Sequence, residues 1–501
     1  MKVRSAACLV EQRALSETAE IEVNHGRSPP EPQADGLSLS LTSTGYGDGM
    51  IRRTPALLLA VGMAGCAPTL QVQPTPQVAA IEWSETLSLR GTPVDARLGL
   101  GRAFGSADLA ALIDQALRRN PDIGIAAARI DQARALLRGA RAAARPTVNL
   151  SAGAEAVSDR ASARAAQGDA YVGLDVAYDL DLFGGAAAER RASRDRVRAA
   201  EEDRRAVSLV VEAEVARAFL QRAALAKRLA LLDRNLAQAT ELERIIGARR
   251  AAGEATMVDV GRQRMQLREL QAERVRLDLA LVQTRSALAL LCGEEAPTFV
   301  AAIAELDGLA VPMFREEGPQ ALVGARPDVR AAEAMIAAAG GDIASARAAF
   351  YPRIRLSSGA FLQSAAGGPL ASLLSIGSGV LAPIFNRGAL HRDHDLATAR
   401  QRESVEIYRR TLLTALSEVE NARAATNRTL AREELVAQVV EEARRTARLT
   451  RLQFVEGEAD LRDSLDAEER LIAAEDALAL ARQQRLEAAI DLFRATGGRL
   501  S

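Results

Sequence analysis

The sequence repeats itself, and that duplication limits what the chain can become. Asn120-Pro121-Asp122-Ile123 returns 206 residues later as Arg326-Pro327-Asp328-Val329. The register then holds without a gap over residues 121–153, where 14 of 33 positions are identical, Pro121, Asp122, Pro146, Leu150 and Gly153 among them. Later elements recur at an offset of 204. Glu214-Val215 returns as Glu418-Val419, Gly253-Glu254-Ala255 as Gly457-Glu458-Ala459, Asp259 as Asp463 and Gly293 as Gly497. Chance alanine matches are expected in an alanine-rich chain, but Pro, Asp and Gly in constant register are not. Two copies of one supersecondary unit follow.

Proline placement says what the unit contains. After Pro146 the next proline is Pro297, and after Pro383 there is none. Proline inside a helix loses a hydrogen bond and clashes with the preceding turn, so these two tracts permit very long helices. Val207, Val210, Val211, Val215, Phe219 and Leu220 recur at three- and four-residue steps among charged residues, which is helical spacing. From Ala186 to about Arg250 a straight helix would approach ~100 Å. Small-residue runs such as Ala142-Ala143-Ala144 and Ala337-Ala338-Ala339 would let helices approach closely. Only 3% of the residues are aromatic, which also favours long helices over an ordinary globular core.

Between the helical tracts each half carries a strand pair. Val172, Leu174, Val176, Tyr178, Leu180 and Leu182 alternate with polar or small residues, giving one apolar and one polar face. Val148, Leu150, Ala152 and Ala154 precede them across the polar loop Ser158–Asp169. The second half repeats the plan with Ile354–Leu362, a loop near Ser364–Pro369, and Leu374–Phe385. Each strand has about the 9–11 residues needed to cross a bilayer at a tilt. Tyr171, Tyr178, Phe183, Phe350, Tyr351, Phe361 and Phe385 gather here, as an interfacial girdle requires. Four strands cannot close a membrane barrel, so copies must pool them: a dimer gives eight, a trimer twelve.

The remaining composition excludes other classes. A net charge of -1 gives no electrostatic case for nucleic acid. Cys8, Cys66 and Cys292 form no CxxC pair, so neither a disulfide scaffold nor a Cys metal site is expected. Cys292 reads as a small buried hydrophobe. His391 and His394, beside Asp393 and Asp395, fall at a helix start where polar residues are ordinary. No catalytic, metal or cofactor site is expected. At the N-terminus, residues 1–49 read as an over-extended start or a disordered segment. Met50-Ile51-Arg52-Arg53 and the short apolar run Thr54–Ala64 then describe a secretory signal over residues 50–65. A segment over residues 66–112 and two repeats, 113–300 and 301–501, complete the expected organisation.

The order of these elements, the NPDI and RPDV openings, Asp179-Leu-Asp-Leu-Phe183-Gly-Gly, Pro383-Ile-Phe385-Asn-Arg-Gly388, the Tyr408–Ala422 segment and Gly457–Ala467 together resemble the TolC-like outer-membrane efflux factors. The nearest branch is that of the lipoproteins serving resistance-nodulation-division pumps. The resemblance implies a mainly α fold with membrane β-strands. Two repeats would build a long α-helical barrel, and four strands per chain would join a trimeric twelve-stranded barrel. It implies a passive, non-enzymatic conduit for drugs or other small molecules. The implied partners are two further copies, a periplasmic adaptor (membrane fusion) protein, an inner-membrane resistance-nodulation-division transporter and outer-membrane lipid. The Ala64-Gly65-Cys66 ending resembles a lipoprotein signal, with Met63 where Leu is usual. Cys66 would be lipidated, and Ala67 rather than Asp after it implies the outer membrane. Asp463 and Asp466, with Asp460 and Arg462 beside them, match a pore constriction; a solvated turn with helix-capping acids is the competing reading. In the first half Asp259 is kept but Arg262 replaces Asp466. Gly253, Glu254, Gly457 and Glu458 match adaptor-facing helix tips. The same conduit serves protein secretion and metal-ion efflux, and a periplasmic coiled-coil structural protein is the alternative of a different class.

Overall fold

A computed structural model describes residues 99–157, 167–313, 318–365, 369–458 and 460–499. The expected start, the signal over residues 50–65, Cys66 and most of the 66–112 segment lie outside the described residues, as does Ala459. The chain opens with α1 (Gly99–Ala103), α2 (Ala107–Arg119) and α3 (Pro121–Ala143). Then come β1 (Thr147–Val157), β2 (Gln167–Leu180), α4 (Gly185–Ala251) and α5 (Met257–Leu291). After a 3₁₀ turn at Leu306–Gly308 and α6 (Pro319–Ala325), the plan repeats. It runs through α7 (Pro327–Ala348), β3 (Arg353–Ala365), β4 (Ala371–Leu381), α8 (Arg387–Glu456) and α9 (Leu461–Ala495).

The strands form one antiparallel sheet in the order β1-β2-β3-β4. Its register is continuous: Leu150 pairs with Leu174, and Leu174 with Ala360, which pairs with Leu374. All even-numbered positions therefore share one face. Val148, Leu150, Val172, Leu174, Leu356, Leu362, Leu374, Ile376 and Val380 lie there, all exposed. The other face carries Asn149, whose amide donates to Asp175 at 3.0 Å, and Arg355, which pairs with Asp179 at 2.8 Å. β4 starts at Ala371 rather than Leu374 and stops at Leu381 rather than Phe385. Pro383 has no N–H to continue the ladder, which accounts for the earlier end.

Helix ends are set locally. Asn120 caps α3 by accepting from the N–H groups of Asp122 and Ile123, with Pro121 at the first helical position. The Asp181 carboxylate accepts from Ala186 N (3.0 Å) and Ala187 N (2.7 Å), capping α4. α5 and α3 then abut end to end. The Asn120 amide donates to the Leu291 carbonyl at 2.9 Å, and at Gly293 (φ +67) a Cβ would lie 2.4 Å from the Arg119 carbonyl oxygen. α9 abuts α7 in the same way, the Arg326 guanidinium donating to the Ala495 carbonyl at 3.2 Å.

Four columns result. α4 packs against α3 and α5 on one side and against α7 and α9 on the other, while α8 packs against α7 and α9. The row is α3/α5, α4, α7/α9, α8, the same order as the strands. Midway along it lies the thickest core. Phe104, Phe219, Leu288, Cys292, Phe299, Leu306, Leu486, Ile490 and Phe493 are all buried there. These phenylalanines belong to no membrane girdle, and Tyr408 and Phe454 are buried elsewhere along the helices. Cys292, at the C-cap of α5, is buried within that core as expected. No helix among the described residues is long and apolar enough to cross a membrane.

Candidate pore and helix-tip site

α4 and α8 each run from the sheet to a turn at the far end, and both turns close in the same way. Gly253 (φ +81) and Gly457 (φ +80) adopt the left-handed conformation. Glu254 N donates to Arg249 O and Glu458 N to Gln453 O, both at 2.8 Å. Each is the 6→1 bond of a glycine-ended helix, the reason glycine recurs here. The two turns are neighbours: the Arg249 guanidinium sits 4.8 Å from the centre of the buried Phe454 ring. Glu254 and Glu458 are exposed at the turns.

The helices leaving the turns differ in how they begin. Thr256 and Asp259 form a reciprocal capping box. The Asp259 carboxylate accepts from Thr256 N (2.8 Å) and from its hydroxyl (2.6 Å). These bonds hold its carboxyl below the usual carboxylate range. In the second repeat Asp460 stands at the N-cap, where Thr256 stands in the first, and makes no side-chain cap bond. Asp460 has no hydroxyl to donate as Thr256 does to Asp259, and the Asp463 side chain has no hydrogen-bond partner among the described residues. Asp259 is thus a hydrogen-bonded capping acid, whereas Asp463 is an exposed acid in the first turn of its helix. Thr256 was not among the residues expected at the tip, although a Thr three residues before an Asp at a helix start is a readable capping signal.

Between α5 and α9, just beyond the tips, lies a groove of about 550 Å³. It brings Asp259 and Arg262 of the first repeat together with Arg462 and Asp466 of the second, joined by Glu269, Glu273 and Glu469. Asp460 and Asp463 are exposed next to it rather than in its lining. The three glutamates follow the earlier residues at three- to seven-residue steps, one helical face, and that spacing was the signal available for them. Below the tips Glu468 lies 3.8 Å from Arg451, and burial pushes its carboxyl upward against that attraction. At the other end of the row Phe183 stacks on Tyr351 at 4.6 Å, and Phe350 meets the rings of His391 and His394 edge-on.

The duplicated helix–strand plan and an exposed apolar sheet face are the marks of one architecture. The family model described as outer membrane efflux protein matches residues 112–294 and 318–498. The chain belongs to this family. Among fellow outer membrane efflux proteins, the pyoverdine export outer membrane protein OpmQ of Pseudomonas aeruginosa is 32% identical over 411 residues, 79% of this chain and 86% of its own length. The outer membrane protein OprJ of the same organism is 32% identical over 463 residues, 88% and 95% of the two chains. The structure of the outer-membrane channel OprN superposes with a TM-score of 0.78 at 26% identity, covering 86% of this chain and 99% of that one. This efflux protein is accordingly a channel component of the outer membrane whose helices extend into the periplasm.

Proposed function

We propose that three copies assemble into a passive conduit, a twelve-stranded barrel continued by a helical tunnel, through which small molecules leave the cell without chemical change. The observation that carries this reading is the sheet. Its order leaves β1 and β4 each with one edge unpaired among the described residues, and one whole face is exposed and apolar. In lipid an open edge strands N–H and C=O groups, so the edges pair with those of other copies. Eight strands would fill their own interior with side chains; twelve leave room for water against the face bearing Asn149, Asp175, Asp179 and Arg355. α4 and α8, 67 and 70 residues long, span roughly 100 Å each.

Asp463 and Asp466, with Asp460 and Arg462 beside them, form the narrow acidic end of the tunnel in this reading. Threefold repetition makes them a ring that favours cations and resists anions. Support comes from the uncommitted Asp463 carboxylate, set against the capped Asp259. Gly253, Glu254, Gly457 and Glu458 meet a periplasmic adaptor, which links the channel to an inner-membrane resistance-nodulation-division transporter. Cys66 carries the lipid anchor. Relatives named for pyoverdine export support a small-molecule cargo.

Single-channel recording in planar bilayers tests the constriction. Asp463→Asn with Asp466→Asn is expected to raise conductance and weaken cation preference, and unchanged values for both would remove the assignment. Size measurement in mild detergent tests the assembly: the mass of three chains is expected, and a folded monomer would overturn the conduit.

A further inference from the structure

The thick core tells the outer side of α4 from the inner. α1, α2 and the 3₁₀ turn at Leu306–Gly308 pack on one face of that helix, where Phe219 is buried and the Glu212 carboxylate accepts from Leu100 N at 3.3 Å. Material of that bulk inside the tunnel proposed above would block it, so this face looks outward. Phe219, Glu212, Arg205, Glu201, Arg194 and Arg190 are spaced by seven or four residues and share the face. Its last members lie just short of the sheet.

α3 runs antiparallel beside this stripe, and Arg134 sets the register by reaching Glu201 at 2.9 Å. From Arg134 toward the sheet, one side of α3 and its end carries Arg138, Arg141 and Arg145, opposite Arg194 and Arg190 of α4. Arg190 is half-buried and the other four are exposed; none of the five makes an ion pair or hydrogen bond among the described residues. The carboxylates nearby are already engaged. Arg134 holds Asp131 and Glu201, Arg196 holds Glu189, Arg198 holds Asp195, and Asp181 caps α4. Arg145 and Arg190 lie within about 8 Å of the strand ends and the other three within ~15 Å. Leu182 and Phe183, both exposed, stand between them and the sheet.

We propose that these five arginines form a strip that binds the phosphates of anionic phospholipid headgroups, in the leaflet facing the periplasm. Which side is outer rests on the conduit proposed above. The strip begins where the exposed apolar sheet face ends, which is headgroup depth, and a long arginine stem lets the guanidinium reach up to that level. There each planar fork can hold two oxygens of one phosphate, and five unneutralised charges favour a lipid with net negative charge over a zwitterionic one. The duplication argues against a purely structural role. In the second repeat Arg138, Arg145, Arg190 and Arg194 become Ala344, Tyr351, His394 and Thr398, and only Arg141 keeps its counterpart, Arg347. The same junction of helix and strand is thus built without the charge, and each chain has one strip rather than two.

The test is calorimetric titration of the full-length protein in a non-ionic detergent with dioctanoyl phosphatidylglycerol, dioctanoyl phosphatidylcholine or inorganic phosphate. Phosphatidylglycerol is expected to bind at least about tenfold more tightly than either of the others, and to weaken at least about tenfold when NaCl rises from about 0.05 to about 0.5 M. Replacing the strip together, Arg138→Gln, Arg141→Gln, Arg145→Gln, Arg190→Gln and Arg194→Gln, should abolish the preference, while Arg347→Gln with Arg392→Gln in the second repeat should leave it. Equal affinity for the two lipids, or full preference in the fivefold variant, would overturn the strip. Phosphate binding as tight as the lipid would overturn the lipid as its occupant, and equal loss in the second-repeat variant would overturn its confinement to the first repeat. Size measurement on the same samples separates the two readings. Trimers without lipid preference overturn the strip and leave the conduit standing; monomers overturn the conduit whichever lipid binds.

Discussion

Two adjacent glycines in α7 are expected to respond to the same substitution with opposite signs. α7 lies against α4 through Ala188, Ala192, Ala338 and Ala339, all buried, and the Arg196–Asp342 ion pair ties the helices together at this level. A Cβ on Gly341 would stand 2.9 Å from the Ala192 Cβ and 3.1 Å from both the Ala188 carbonyl oxygen and the Ala192 nitrogen. Two of these three atoms are backbone, so the helices must move apart. Overpacking of this kind costs ~1–3 kcal/mol, and the better helix propensity of alanine returns at most ~1 kcal/mol. Gly341→Ala should therefore destabilise by roughly 1–2 kcal/mol. Gly340, one residue earlier, has only the Gln401 amide nitrogen within reach, at 3.9 Å. There the propensity gain stands nearly alone, and Gly340→Ala should stabilise by about 0.5–1 kcal/mol. Guanidinium unfolding of the purified protein, followed by far-ultraviolet circular dichroism, reads both. The midpoint should fall for the first variant and rise for the second. Movement of both midpoints in one direction would refute the packing argument, because propensity alone treats the two glycines alike.

Arg326, with its side chain 8% exposed, binds Asp328 at 2.8 Å, Glu418 at 2.7 Å and the Ala495 carbonyl. Arg326→Met should cost roughly 2–4 kcal/mol in the same unfolding assay, and a loss under about 0.5 kcal/mol would show the cluster to be an ordinary surface pair. The Asp259 carboxyl is held low by Thr256, so its cap contributes stability above the unfolded carboxylate range and loses it as pH falls through the lower folded value. Hydrogen-exchange protection in the first turn of α5, taken against the intrinsic rate at each pH, should fall below about pH 4, and Thr256→Val should lower it at neutral pH as well; identical protection in the two proteins would exclude the box. Burial, with Glu294 adding to it, pushes the Cys292 thiol up to about 11. Alkylation by iodoacetamide at pH 8 should run on the order of a hundredfold slower than at an exposed cysteine until the protein unfolds, and fast labelling of the native protein would contradict the burial.

The long elements were legible because their signals are periodic and redundant. A helix expected from Ala186 to about Arg250 runs from Gly185 to Ala251, and the even-numbered apolar face of the strands survives through three strand pairings. The constant offset also paired Gly253 with Gly457 and Gly293 with Gly497, and each of the four has positive φ. What stayed hidden was pairwise and distant in sequence. Nothing near Asn120 announces that its amide caps the carbonyl of Leu291, and nothing near Arg249 announces Phe454. Apart from Phe219, which fell in the helical series of α4, the core phenylalanines were not placed, because Phe104, Phe299 and Phe493 come from three separate segments with no shared period. At the tips, the family resemblance located the acids but could not say which were engaged. That depended on a single neighbour, Thr256 in one repeat and Asp460 in the other.

That single difference shows where a duplicated chain can diverge. Fully buried mid-helix positions tolerate little beyond small or apolar side chains, since each must fit a close-packed surface. Helix ends carry no such constraint, because a lost cap costs about 1 kcal/mol and water can satisfy the freed groups. The two repeats do part company there. Asn120, which caps α3, is replaced by Arg326, which reaches instead to Asp328, Glu418 and Ala495. Thr256, Asp259 and Arg262 are replaced by Asp460, Asp463 and Asp466. In the first case a local cap is exchanged for a tie between helices. In the second, a closed hydrogen-bond box is exchanged for exposed carboxylates at the tip, and α9 begins without the local order that Thr256 gives α5.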